Sequence, residues 1–426
     1  MYSDNKTIQI LISLLKEFGV SQAVLSAGTR NVPFVHSVEK DDYFNCHSVV
    51  DERSAAYFAI GLALEYNEPV LISCTSGTAS ANYTSAICEA YEQHIPLVVL
   101  TSDRNQYFLG QLEDQQIPQS GMYRSRVKKS VTLPIVKDKK DEWYCQRLVN
   151  EALLEIDHNG GGPIHINIPT EWGLFAQNFT AKELPKLKPI KRISLRDMQR
   201  GKIDEVQELK QKKRILVLYS QHPKVANTVV YHIEGFTTKY SCVISVETIS
   251  NLECRGTINT CLISRALDKQ AFLEYAPDLV ISLNGNYVST IKGLLKGCTA
   301  EFDHWSVNEE GIIIDQFQRL SKVFECSMSD FFEYFNKSDN ELLGKNEYYN
   351  FWQSKLNSLP EPDFKFSSNY VMQEFLCKIP NNSILHHGNG VAVHIAQYFH
   401  TDKSISSYCH SGTTTIDGSL STFIGQ

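Results

Sequence analysis

The sequence contains no C-x-x-C pair, no Gly-Asp dipeptide, no Walker-type phosphate loop and no H-E-x-x-H motif. Each absence excludes something. Eleven cysteines without paired spacing suit neither a structural zinc site nor a disulfide framework, and they read as reduced, mostly buried thiols of a cytosolic protein. No apolar run approaches the roughly 20 residues that cross a bilayer. The early ILISLL sits inside an amphipathic pattern rather than a signal-peptide layout. Positive charge is also short: 41 Lys and Arg against 48 Asp and Glu leave a formal charge of −7. That balance argues against nucleic acid or a membrane surface as a partner. Low-complexity tracts are absent too.

What is present is length and alternation. The chain has 426 residues with 42% hydrophobic content, enough for two or three domains with real cores. Ile8, Leu11, Ile12, Leu15 and Phe18 mark one helix face that ends at Gly19. QAVLS follows as a strand, and PVLISCTS (69–76) and PLVVLTS (96–102) read as strands buried on both faces. GTASANYTSAICEAYEQ lies between them as a helix, and GPIHINIP (162–169) adds a last strand. Such alternation predicts an α/β fold of successive parallel-sheet, three-layer domains. Residues 1–180 form the first domain, and the Lys-, Arg- and Pro-rich stretch 181–202 reads as a linker. A second alternating domain covers 203–345, with strands in RILVLYS, SCVISVET, PDLVISLNG and AEFDHWSVN, and the polar stretch 336–362 reads as a connector. Residues 363–426 begin a third unit that is short for an α/β domain and is expected to be incomplete.

Several stretches carry candidate chemistry. In VVDERSAAYFAIGLALEY (49–66), Val49 and Val50 end a strand, Asp51 is a good N-cap, and Glu52 is a first-turn acid favoured by the helix dipole. Taken alone, this stretch favours helix chemistry over catalysis. HGNGVAVH (387–394) is an incomplete dinucleotide fingerprint, with Val393 at the third glycine position, and a tight strand–helix turn explains it better. His386 and His387 are adjacent, so they face opposite ways in a strand and share no metal. Arg30, Glu52, Thr75 and Arg104 each fall just past a strand end, where open parallel sheets gather ligands. Two arginines in such a set suit anionic groups.

The ordered set SAGTRNVPF, DERSAAYFAIGLA, CTSGTASANY, PLVVLTSDR, GPIHINIP, HWSVNEEG, DQFQRLSKV and IDGSLST resembles the thiamine-diphosphate-dependent enzymes. Within them it is similar to the menaquinone-pathway family of 2-succinyl-5-enolpyruvyl-6-hydroxy-3-cyclohexene-1-carboxylate synthases. The resemblance implies a pyrimidine-binding domain, a central domain without cofactor contacts and a diphosphate-binding domain. It implies a cytoplasmic homodimer or homotetramer using thiamine diphosphate and Mg²⁺. The implied reaction is a carboligase (transferase) reaction that decarboxylates 2-oxoglutarate and adds the four-carbon unit to isochorismate. Its partners are therefore a 2-oxo acid and an anionic acceptor.

By the same resemblance, Glu52 hydrogen-bonds the aminopyrimidine ring from an apolar, water-poor pocket, where desolvation raises a carboxyl pKa. Thr75 and Gly77 line the cofactor, and Ile416 wedges it into a bent conformation. Thr29, Arg30, Arg104 and Gln115 contact substrate. Four positions depart from the family pattern: Ser411 and His394 stand where arginines are usual, Thr290 where a basic residue is usual, and Asp114 where Asn is expected. These departures fit a paralogous synthase with another donor or acceptor, or a non-catalytic member that keeps the fold. Without a G-D…N segment, the diphosphate and metal ligands are expected beyond residue 426. The chain alone is then expected to bind the cofactor weakly and to be inactive.

Overall fold

The computed structural model describes residues 1–170, 177–201, 204–338, 341–342, 345–360 and 363–426. Residues 202 and 203, the expected junction of linker and central domain, lie outside the described residues. The chain divides into two compact units, Met1–Lys191 and Arg192–Gln426.

In the first unit six strands form one parallel sheet: β1 (Gln22–Leu25), β2 (Asn45–Ser48), β3 (Val70–Cys74), β4 (Leu97–Arg104), β5 (Ser130–Thr132) and β6 (Ile164–Thr170). Their order is β2-β1-β3-β4-β6-β5. Alternation along β3 and β4 decides the layers. Leu71, Val98 and Leu100 face a core shared with helices α1 (Lys6–Glu17), α2 (Val32–Glu39) and, beyond the site helices, Lys139–Leu153. Val70, Ile72, Leu97 and Val99 face α3 (Glu52–Tyr66), α4 (Thr78–Asn82) and α5 (Thr84–Glu92). Alanines at 55, 56, 59 and 63 let α3 lie close to the sheet. Asn5 starts α1 by accepting from the N–H groups of Thr7 and Ile8, capping donors that have no helical partner.

Strand β2 stops at Ser48, and Val50 is 86% exposed, so the strand expected to run through Val49 and Val50 is shorter than its apolar residues suggest. Asp51 has left the sheet to cap α3: its Oδ1 accepts from the Ser54 N–H at 2.8 Å. Strand β5 has no alternation long enough to mark it in the sequence.

The second unit carries a seven-stranded sheet, ordered β10-β9-β8-β11-β12-β13-β7. Its strands are β7 (Lys191–Ser194), β8 (Ile215–Tyr219), β9 (Cys242–Val246), β10 (Thr257–Asn259), β11 (Leu279–Leu283), β12 (Asp303–Val307) and β13 (Leu320–Glu325). Strand β7 lies inside the stretch expected as a linker; a charged edge strand of four residues shows no apolar period. The expected connector 336–362 likewise holds a helix, Glu347–Ser358, whose Trp352 and Tyr348 are buried in the core under β8 and β11. Two aromatic anchors spaced i, i+4 hold it despite its polar composition. A parallel pair, β14 (Ile384–His386) with β15 (Ser406–Tyr408), and three helices make up residues 363–426.

Among the described residues no helix is long and apolar enough to cross a membrane, and no group of three or more His, Cys, Asp and Glu is placed to hold a metal.

Candidate active site

In the first sheet the chain leaves β1 in one direction and enters β3 on the other side, which puts the topological switch between them. Ligand crevices form at the carboxyl ends of strands flanking such a switch. Here the turn after β1 meets the end of β3. A Cβ on Gly28 would lie 2.4 Å from Thr75 Cβ, so only glycine permits this approach. Thr75 Oγ1 accepts from the Arg30 N–H at 3.2 Å, and Asn31 Nδ2 donates to Ser26 O at 2.9 Å.

Beside this turn an open pocket of about 340 Å³ is walled by Glu52, by Thr75–Ala79 with Asn82, and by Glu113 and Gln115–Ile117. Gly77 sits at φ +82°, ψ −140° ahead of α4, and a side chain there would meet the Gln115 backbone at 3.1 Å. The two walls therefore touch backbone to backbone. Glu52 is half-buried, and its Oε2 accepts from Asn82 Nδ2 at 3.1 Å. Ser76 Oγ and Gln116 Oε1 are buried without a hydrogen-bond partner, which leaves two polar atoms in the walls for a ligand to satisfy.

The expected setting of Glu52 needs correction. Its pocket in the single chain is polar and open rather than apolar and dry, because it lies where the cap of α3 and the small-residue turn before α4 bring their polar groups together. The apolar surface is next to it instead. Tyr57, Phe58 and Leu64 of α3 are 44–63% exposed, and Val50 precedes them.

Of the other expected residues, Thr75, Gly77 and Gln115 join Glu52 in the pocket, while Thr29 and Arg30 belong to the turn that abuts Thr75. Thr29 is exposed and Arg30 half-buried. Burial lowers the Arg30 pKa, as does repulsion from Arg104, whereas Glu113 and Asp114 act to raise it. Arg104 forms an ion pair with Glu113. Both arginines thus already face carboxylates of their own chain. Ile416 belongs to the second unit and is 77% exposed.

The departures also have places. Thr290 shares a hydrogen bond with Ser264 at 2.7 Å, and Ser411 is buried. Burial lowers the His394 pKa, and the nearby Arg265 adds to the effect.

Asn82, Glu113 and Gln119 were not singled out from the sequence. Asn82 stands inside the TSGTASAN motif, so the motif could have flagged it, whereas residues 113–119 form an irregular polar loop without a period to read.

Comparison with known proteins agrees with this geometry. Residues 5–122 match the family described as thiamine pyrophosphate enzyme, N-terminal TPP binding domain. The chain is 36% identical to a 2-succinyl-5-enolpyruvyl-6-hydroxy-3-cyclohexene-1-carboxylate synthase of Bacteroides thetaiotaomicron, an alignment covering all of this chain and 76% of the relative. Synthases of the same name from Bacteroides fragilis and Phocaeicola vulgatus are 37% and 34% identical, again over 100% of this chain and 76% of each relative.

Proposed function

The chain belongs to the family of 2-succinyl-5-enolpyruvyl-6-hydroxy-3-cyclohexene-1-carboxylate synthases, thiamine-diphosphate enzymes, and from that premise we propose that its Glu52 pocket receives the aminopyrimidine of the cofactor. The observation that carries the reading is the convergence of one carboxylate with unsatisfied polar atoms in one cleft at the sheet's switch point. A planar, nitrogen-rich ring fits such a cleft, since it can donate to Glu52 and Gln116 and accept from Ser76.

When bound, thiamine diphosphate supplies an acidic carbon that adds to a 2-oxo acid and holds the electron pair left by loss of CO₂. The protein's share is positioning. Glu52 would hold the ring by a nitrogen and exchange a proton with it there, while Asn82 keeps one carboxylate oxygen in place and leaves the other for the ring. Arg30 and Arg104 would take substrate carboxylates as charge-assisted pairs. Mg²⁺ belongs to this proposal by family resemblance, and none of these roles involves it.

The reaction proposed is decarboxylation of 2-oxoglutarate followed by addition to isochorismate, as a cytoplasmic step of menaquinone biosynthesis. Product formation from that pair by a polypeptide that spans the full length of the relatives, at saturating thiamine diphosphate and Mg²⁺, supports it. Turnover of pyruvate in place of 2-oxoglutarate would move the chain to a related synthase with another donor, the second reading that the Arg104–Glu113 pair favours. If Glu113 competes with substrate for Arg104, Glu113→Gln lowers the half-saturating concentration of 2-oxoglutarate. An exposed pair is worth about 0.2–1 kcal/mol, so the gain is at most about fivefold. A weakened response would assign Glu113 a supporting role instead.

The exposed side of α3 supports a homodimer. Tyr57, Gly61 and Leu64 follow i, i+4, i+7 spacing on one side of the helix that begins at Glu52, and a side chain on Gly61 would meet nothing within 4 Å. A second copy docked there would cover this stripe and dry the Glu52 end of the helix. Leu64→Asp should shift sedimentation from dimer to monomer; an unchanged dimer would place the interface elsewhere.

A further inference from the structure

Gln119 is 1% exposed and touches neither Glu52 nor open solvent, yet it holds both walls of the pocket. Its backbone continues the 113–117 wall. Its side-chain Oε1 accepts from the Gly77 N–H at 2.7 Å, which fixes the opposite wall. The amide end is anchored in the sheet: Nε2 donates to Ser102 O at 2.9 Å and to Asn167 Oδ1 at 3.1 Å. One turn further on, Tyr123 donates its hydroxyl to Ser80 O in α4. The segment 119–123 therefore grips α4 at two points.

The anchor extends through a chain of buried groups with only one consistent set of donors. Thr101 Oγ1 donates to Asn167 Oδ1 at 2.8 Å, so its oxygen is left to accept from His165 Nε2 at 2.8 Å. His165 Nδ1 then accepts from Ser130 Oγ at 2.9 Å. Burial keeps His165 neutral, which this pattern requires. Asn167 Nδ2 donates to Asp103 Oδ2 at 2.9 Å, and the other Asp103 oxygen accepts from the Arg104 N–H at 2.7 Å. A fully satisfied network of this kind specifies a single arrangement.

We propose that Gln119 is a positioning residue that sets the spacing between the Gly77 turn and the 113–117 wall, and with it the width of the cleft facing Glu52. The consequence for the cofactor rests on the reading of that cleft given above; the spacing itself does not.

Hydrogen–deuterium exchange tests the spacing without any cofactor. In Gln119→Met, peptides covering 75–82 should exchange roughly tenfold faster, the expected consequence of one unmade buried hydrogen bond. Peptides from β4 and β6 should remain protected. Gln119→Glu keeps the acceptor for Gly77 but loses the donor, and its protection of 75–82 should return as the pH falls and the carboxyl group can donate again. Ser130→Ala cuts the far end of the chain and should leave 75–82 unchanged. Thiamine diphosphate affinity should fall in Gln119→Met and not in Ser130→Ala. Unchanged exchange at 75–82 in Gln119→Met, or equal acceleration across β4 and β6, overturns the positioning role. A polypeptide of the relatives' full length with no response to thiamine diphosphate would instead remove the functional reading and leave the exchange result standing.

Discussion

Glu52→Gln, in a polypeptide that spans the full length of the relatives, slows exchange of the C2 proton of thiamine diphosphate by about 10²–10⁴-fold, the range a positioned acid–base group contributes. The fold should survive. Glu52 is half-buried at the first turn of α3, its side chain accepts from Asn82, and a glutamine carbonyl can still accept from that amide, without the carboxylate's charge. Loss of rate with unchanged melting temperature separates chemistry from packing. The single chain leaves this pocket polar and open, so the proton-transfer role also depends on the α3 surface being covered. Leu64→Asp should accordingly lower the exchange rate along with the dimer. Exchange in Glu52→Gln that matches the unsubstituted chain, measured by proton NMR after acid quench, would remove Glu52 from the chemistry.

One buried histidine makes the first unit lose stability in acid. His165 lies wholly inside the sheet core, and burial pushes its pKa down to about 3 from an ordinary value of 6.5. It is neutral when folded, but between those two values the unfolded chain binds a proton that the folded chain does not. Stability is therefore intact above pH 6.5 and lost as the pH falls toward 3, by up to about 1.4 kcal/mol per pH unit. At pH 5 the loss is about 2 kcal/mol, a large share of a typical domain's stability. In the second unit Glu247, raised to about 7 by burial, acts in the opposite sense and gains relative stability as pH falls from 7 to 4.5. His387, lowered to about 4, works against it there. The sheet of the first unit should thus lose protection in acid, seen as faster amide exchange in β4 and β6 at pH 5 than chemical exchange rates explain. His165→Asn, which cannot take up the proton, should flatten that dependence even if it lowers stability overall. A pH-independent midpoint in the unsubstituted chain would contradict the account.

Much of the architecture was legible because parallel strands buried on both faces leave continuous apolar runs, as in PVLISCTS and PLVVLTS, and because Asp51 and Glu52 follow helix-start chemistry. The elements that escaped notice are those whose placement depends on partners far along the chain. Strand β7 is polar and pairs at a sheet edge, and the helix Glu347–Ser358 is held by two aromatic residues in a polar stretch. In the site, Glu52, Thr75 and Gly77 could be gathered from motifs, and Gln115 only from the family resemblance. Gln119, Asn167 and His165 could not, since hydrogen bonds between residues 42 to 64 positions apart leave no local pattern. Glu113 was invisible for another reason: a carboxylate beside an arginine is unremarkable until folding brings it onto the guanidinium proposed to take substrate.

The cleft between Glu52, the Gly77 turn and the 113–117 wall is proposed to receive the cofactor's heterocycle. Amide exchange of a polypeptide that spans the full length of the relatives, with and without saturating thiamine diphosphate and Mg²⁺, tests this most directly. Slower exchange in peptides spanning 75–82 and 113–119 is the predicted result. No change there, or protection confined to the strand–helix turn at 387–394, would contradict it.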